Sequence, residues 1–227
     1  MPPLQSGMPG RSPVRPEKGA LVKLYYSMNL NPRVAVAVAR YLGSPVEYIL
    51  ASPRDPDREE AFRQINPNAL VPVLVEDDTT WWETDAIACR LSQIAGSDFW
   101  PAGEALPEMV RWLSWNKRHL TLAGEAYYFE NLIKPKYLDL PPDPQVVEEA
   151  AAEFHRFAKV LDDVLACRRW LVEDRLTYAD FRTASIMPFA REAKMPVKLY
   201  KNVLHWASQL DEIDAWRAPF EGLNGPT

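Results

Sequence analysis

Residues 70–75, LVPVLV, constrain this chain more than any other stretch. Five of the six are aliphatic, and the Asp77–Asp78 pair beyond them makes a turn, which is how a buried strand is written. The sixth is Pro72, which has no N–H to give to a neighbouring strand and is confined in sheets to edges and special positions. Two readings follow. In one, a trans proline sits on an ordinary edge strand. In the other, the proline is cis and turns the Val71 backbone outward. The second leaves a main-chain N–H and C=O open to an extended peptide, which pairs with them as an added strand.

The surrounding segments place this strand third in a series. Residues 21–27, LVKLYYS, alternate as a half-buried strand does. In NPRVAVAVARYLG, residues 31–43, Val34, Val36 and Val38 also alternate, but Asn31 suits an N-cap, Pro32 a first helical position and Gly43 the place just past a helix end. The capping signals predict a helix that is apolar nearly all round and therefore largely buried. A strand over 45–50, a Pro-rich loop over 51–57, a short charged helix over 58–65, a strand over 79–82 and a helix over 84–95 stopped by Gly96 complete a β-α-β-α-β-β-α order. Beyond the linker GSDFWPAGEALP the periodicity is helical throughout, with helices over 106–123, 145–167, 176–193 and 200–213. The expected organisation is a flexible tail over 1–20, which carries five prolines, an α/β domain over 21–97 and an all-helical domain over 105–227.

Composition removes several function classes. Lys plus Arg number 26 against 31 Asp plus Glu, so there is no basic field for nucleic acid. No apolar run approaches the ~20 residues of a membrane span, and the N-terminus has no apolar signal core, so a cytoplasmic protein with no membrane partner is expected. Cys89 and Cys167 fall in helical segments and read as small buried hydrophobes rather than as a disulfide or redox pair. The three histidines show no metal-ligand spacing, and no metal is expected.

Four segments together resemble the cytosolic glutathione transferase family, of bacterial type: KLYYSMNLNPRV, NPNALVPVLVED, WETDAIACRL and RLTYADFRTAS. The resemblance implies a thioredoxin-like N-terminal domain with a mixed sheet and a cis proline, followed by a helical-bundle domain. It also implies glutathione as co-substrate, an apolar electrophile as its partner in detoxification chemistry, and a homodimer. In such a protein Val71, with Pro72, pairs with the cysteinyl backbone of glutathione. Glu83 and Thr84 hold the γ-glutamyl end at a helix start, where free N–H groups and the helix dipole favour an anion. Thr177 and Asp180 form a capping box with no ligand role.

The decisive position is the turn after the first strand, Ser27 to Asn31. Attack needs thiolate, and a thiol of pKa ~8.5 is mostly protonated at neutral pH, so a hydrogen-bond donor must face the sulfur. Asn29 falls where the resembling family carries its catalytic hydroxyl, making the turn atypical, and an amide N–H can donate in its place. Ser27 and Asn31 are the alternative candidates, with Asn31 better suited to capping. The turn has no cysteine, which disfavours mixed-disulfide chemistry through the protein's own thiol. Ala69 and Leu70 stand where the family often has Gly and a basic residue. The lost contact to the glycyl carboxylate could fall to Arg54, Arg58 or Arg63, although a solvated charged face explains those three as well. The electrophile pocket is expected from Trp112, Trp115, His119, Tyr127 and Tyr128 at the start of the helical domain, as aromatics that stack on a flat substrate. Trp81 and Trp82 alternate, so one ring faces out and suggests a dimer contact. The activity expected is conjugation or reduction of apolar electrophiles by glutathione thiolate. The alternative is a transferase-fold protein that has lost turnover and serves as a binding or scaffolding module.

Overall fold

Strand alternation and helix-stop signals set the first half of the molecule. β1 (Val22–Tyr26) buries Val22, Leu24 and Tyr26 and leaves the side chains between them half-buried. The structure, a computed structural model, describes residues 22–223. The tail expected over 1–20 and the strand start expected at Leu21 lie outside the described residues, as do residues 224–227. After β1 come α1 (Leu30–Tyr41), β2 (Val46–Leu50), α2 (Glu59–Arg63), β3 (Val73–Glu76), β4 (Thr79–Trp82) and α3 (Thr84–Ala95). The sheet runs β2-β1-β3-β4, with β1 parallel to β2 and antiparallel to β3, so it is mixed.

α1 is the helix that its capping signals predict, and residues 34–39 are completely buried. Its start differs from the expectation. The cap is Asn29 rather than Asn31, with Arg33 N donating to Asn29 O at 2.9 Å. Pro32 is thus the third helical residue, where an N–H would still have no partner within the helix. Gly43 and Gly96 end α1 and α3 at φ +60° and +62°, a conformation glycine adopts without cost.

The strand with proline in its middle is also corrected. β3 is only four residues long and starts at Val73, one position after the proline, because residues 70–72 leave the ladder. It is an inner strand between β1 and β4, not an edge, and the Val71–Pro72 peptide is cis. The pairing of Tyr25 with Val73 places Val71 just beyond the carboxyl end of β1, beside the turn into α1.

The second half is helical, with three departures from the expected spans. The helix expected over 106–123 breaks at His119, whose φ of −122° and ψ of −86° separate α4 (Leu106–Arg118) from α5 (Leu120–Tyr128). A wider π-helical segment, Phe129–Leu138, continues α5. α6 (Pro144–Leu165) is close to its expected span, but the helix expected over 176–193 shortens to α7 (Tyr178–Thr183) followed by turns. α8 (Lys201–Asp211) and α9 (Asp214–Arg217) close the fold. Cys167 lies past the end of α6 and is exposed, contrary to the buried role expected of it, while Cys89 is half-buried.

The two halves are tied through α1. Arg33, 6% exposed, stacks its guanidinium 4.7 Å from the Trp216 ring centre and donates to the Trp216 carbonyl. α7 begins with the expected capping box between Thr177 and Asp180. Asp180 also reaches out of its helix, accepting from Leu171 N at 3.1 Å and from Trp206 Nε1 at 3.0 Å. Among the described residues no helix is long and apolar enough to cross a membrane.

Candidate functional site

The turn Ser27 to Asn29 leaves the carboxyl end of β1, and the groove it opens into is about 590 Å3 in volume. That is the size of a small organic molecule. Ser27, Asn29 and Asn31 line one wall, Leu70 and Val71 a second, residues 51–55 after β2 a third, and Tyr128 reaches in from α5. A smaller recess of about 80 Å3 adjoins it, bounded by Asn66, Pro72, Glu83 and Thr84 and sharing Asn31, Leu70 and Val71 with the groove. All three turn candidates and all four candidates around Pro72 and the start of α3 therefore surround one continuous depression.

Each wall has a local cause. Asn66 folds the loop before Pro72 by accepting from Asn68 N at 3.0 Å and donating to Leu70 O at 2.7 Å. That loop forces Ala69 to φ +48°, left-handed backbone that costs a residue with a Cβ about 1–2 kcal/mol. Glycine relieves this strain but loses more entropy on folding. Glycine also gives up a methyl that is 2% exposed, worth about 0.8 kcal/mol, so Ala69→Gly is expected to change unfolding free energy by less than about 0.5 kcal/mol in a denaturant titration. A loss of about 1.5 kcal/mol or more would show that the left-handed backbone at Ala69 costs little. Val71 is left with its main-chain N–H and C=O unpaired with any described residue.

Thr84, 4% exposed, donates its hydroxyl to Asn31 O at 3.4 Å and so ties the start of α3 to the start of α1. Glu83 precedes it at φ +70°, with its carboxylate open to solvent and Lys117 Nζ 4.0 Å away. Asn29 Nδ2 donates to Ser27 Oγ at 3.2 Å, which leaves the Ser27 hydroxyl hydrogen free to point elsewhere. Arg54 is the cation among the residues lining the groove; Arg58 and Arg63 do not line it and instead face Asp55 and Glu59. Burial, then the neighbouring Tyr137 and Glu192, hold the Tyr128 phenol above its ordinary pKa, so it remains a neutral O–H donor.

The other aromatic candidates lie elsewhere. Trp112 and Tyr127 are 5% exposed and belong to the core, with Tyr127 packed edge-on against Phe154. His119 stacks on Phe157 of α6 at 4.3 Å, and Trp115 meets the same ring at 6.1 Å. His119 lines a separate cavity of about 380 Å3 between α5 and α6 that shares no residue with the groove. Helical spacing put these side chains on one stripe, but the stripe faces α6 rather than the sheet. Of the five aromatic candidates, Tyr128 alone lines the groove.

Sequence reasoning missed Arg182. It is 6% exposed, donates from Nη1 to Asn31 Oδ1 at 2.8 Å and carries Nε 3.2 Å from Asp85 Oδ1. An arginine inside the apolar run after the capping box was the available signal. Among the described residues there is no group of three or more His, Cys, Asp or Glu arranged to hold a metal ion.

The sequence models of the "Glutathione S-transferase, N-terminal domain" and "Glutathione S-transferase, C-terminal domain" match residues 32–94 and 125–220. Glutathione S-transferase 3 of Zea mays is 29% identical over 182 residues, 75% of this chain and 79% of that protein. Glutathione S-transferase GstB of Escherichia coli (strain K12) is 27% identical over 197 residues, 82% of this chain and 91% of its own. The solved structure of glutathione S-transferase I from maize in complex with an atrazine glutathione conjugate superposes with a TM-score of 0.81 at 22% identity, covering 90% of this chain and all of the other.

Proposed function

This chain belongs to the glutathione S-transferase family, and from that premise we propose that it is a glutathione transferase whose thiolate-stabilising turn is Ser27 to Asn31. The observation that carries the proposal is the meeting of that turn, the unpaired Val71 backbone and Thr84 at the start of α3 around one groove. Glutathione lies along it as an added strand. Its cysteinyl backbone pairs with Val71, and its γ-glutamyl carboxylate sits at the start of α3, where unpaired helix N–H groups face it while the Thr84 hydroxyl keeps its bond to Asn31 O. The γ-glutamyl ammonium lies near Glu83. Arg54 takes the glycyl carboxylate that a basic residue at position 70 would otherwise meet.

The chemistry follows from thiol acidity. A donor aimed at sulfur stabilises the anion and not the thiol, so the proton leaves to solvent and the thiolate accumulates at neutral pH. Asn29 acts through Ser27: its amide donates to Ser27 Oγ and thereby strengthens the hydroxyl as a donor toward sulfur. The thiolate then attacks an electrophilic carbon, a sulfur–carbon bond forms, and the displaced group departs with the electron pair. Tyr128 lines the same groove as the turn, and its O–H can donate to that departing group or to the electrophile. A homodimer in the cytoplasm belongs to the same proposal, supported by the outward Trp82 on β4, which is 40% exposed.

The test combines retention on immobilised glutathione with conjugation of a generic aromatic electrophile. The chain is expected to be retained and to conjugate above background. Asn29→Ala is expected to lower kcat/KM about tenfold, the effect of one lost hydrogen bond worth roughly 1.4 kcal/mol at the transition state. Neither retention nor rate would leave a binding or scaffolding module as the reading. An unchanged rate in Asn29→Ala would take Asn29 out of the mechanism.

A further inference from the structure

Asn31 sits where the two cavities meet, and the orientation of its side chain is chemically determined. Arg182 Nη1 donates to Asn31 Oδ1 at 2.8 Å. A guanidinium has donors and no acceptor, so this contact admits one amide orientation, oxygen toward Arg182 and nitrogen away from it. No described residue accepts a hydrogen bond from Asn31 Nδ2, and this nitrogen is not among the buried atoms lacking a partner, so it is open to solvent.

The arginine is itself clamped. Its Nε forms an ion pair with Asp85 Oδ1 at 3.2 Å without the alignment of a hydrogen bond, and that carboxylate accepts from the Tyr178 hydroxyl at 2.6 Å. Its carbonyl accepts from Asn116 Nδ2 at 3.1 Å, and Asn116 Oδ1 accepts from Thr121 at 2.9 Å. A buried group held at both ends has little freedom to re-aim its contact to Asn31.

We propose that Arg182 is a positioning residue for the thiol: it fixes the Asn31 carboxamide so that an Nδ2 hydrogen is presented to the sulfur of bound glutathione. This rests on the transferase reading above. With the γ-glutamyl end in the small recess and the sulfur in the larger groove, the cysteinyl residue passes the junction that Asn31 occupies. Arg182 touches no part of the substrate. It acts from the helical half on a donor in the sheet half, which makes the acidity of the thiol depend on the packing of α7 against α1.

The experiment reads the pKa of the bound thiol, from thiolate ultraviolet absorbance of the glutathione complex and from the pH dependence of kcat/KM. A merely structural role would lower stability and leave that pKa in place. Asn31→Ala, at a half-buried position early in α1, is expected to raise the thiol pKa by about 1, a tenfold lower thiolate-to-thiol ratio. Arg182→Lys keeps a cation for Asp85, protects folding, and is expected to raise it by about half as much. In the Asn31→Ala background, Arg182→Lys is expected to add nothing, since the group it positions is gone. An unchanged thiol pKa in Asn31→Ala overturns the inference. So does a shift from Arg182→Lys that persists in that background. If the unsubstituted chain binds glutathione and the variants behave in either of these ways, this inference alone fails; if the unsubstituted chain does not bind glutathione, the transferase reading fails with it.

Discussion

Asp180→Ala is expected to lower unfolding free energy by about 4 kcal/mol and Tm by roughly 10 °C. Asp180 is completely buried, and its carboxylate serves four donors: Leu171 N, Thr177 N, the Thr177 hydroxyl and Trp206 Nε1. Alanine leaves all four without an acceptor in a dry site, and each unsatisfied donor costs about 1–3 kcal/mol, less than additively. The four donors come from the linker before α7, from the start of α7 and from α8, so one carboxylate joins three segments that share no backbone ladder.

Asp180 also carries a pH signature. Burial pushes its pKa up to about 6 from 3.8, and the hydrogen bonds from Thr177, Trp206 and Leu171 only partly offset that. Because the folded pKa is the higher one, the native state binds more protons than the unfolded chain between those values. The stability owed to this group is fully present below pH 3.8 and declines as pH rises to about 6, by roughly 3 kcal/mol in all. Asp180→Asn is uncharged throughout and lacks this decline. The stability gap between the unsubstituted chain and Asp180→Asn should therefore narrow from pH 4 to pH 7 in denaturant titrations. A gap that widens would show that the buried carboxylate is ionised well below pH 6.

Much of this fold was legible because its signals are local. Alternation in LVKLYYS, the glycines at 43 and 96 and the turn at Asp77 specify β1, the ends of α1 and α3, and the β3–β4 hairpin without reference to any distant residue. The break at His119 had no such signal. Trp112, Trp115, His119 and Leu122 keep helical spacing straight through it, and the kink shows only in the backbone angles. Pro72 announced something unusual, but the position of β3 inside the sheet depends on how β1 pairs on one side and β4 on the other.

The site divides along the same line. Ser27, Asn29, Asn31, Val71, Pro72, Glu83 and Thr84, each singled out from a short segment whose chemistry is readable in place, come together around adjoining cavities. The aromatic candidates other than Tyr128 do not join them, since spacing says which side chains share a helix face and not which neighbour that face meets. Trp115 and His119 meet Phe157 instead of the groove. Arg182 was invisible for the converse reason: its partners Asn31 and Asp85 lie 151 and 97 positions away in sequence, the latter from 182 less 85.

The largest expected effect on binding concerns a group that no substitution in the protein can remove. Val71 offers its backbone, so the probe is a glutathione analogue methylated on the cysteinyl amide nitrogen. In the proposed pose the methyl removes the N–H that pairs with the Val71 carbonyl and pushes the two chains apart. The Val71 carbonyl is then covered by ligand without a donor, at about 1–3 kcal/mol, and the lost approach affects the neighbouring pair as well. Affinity for the analogue is expected to fall about 100-fold, measured by calorimetry. The comparison that gives this meaning is the glycyl methyl ester, which keeps the strand pairing and loses only the carboxylate assigned to Arg54 in the proposed pose. Its expected loss is about tenfold, because a partly exposed charge contact is screened by water. If the order were reversed, with the ester bound more weakly than the N-methyl analogue, charge at the groove mouth rather than strand addition at Val71 would dominate recognition. The pairing has a further consequence for rate. In the proposed pose a cysteinyl backbone held by Val71 fixes the sulfur relative to Ser27 and Asn31, so the N-methyl analogue is expected to lose kcat as well as affinity, whereas the ester is expected to lose affinity alone.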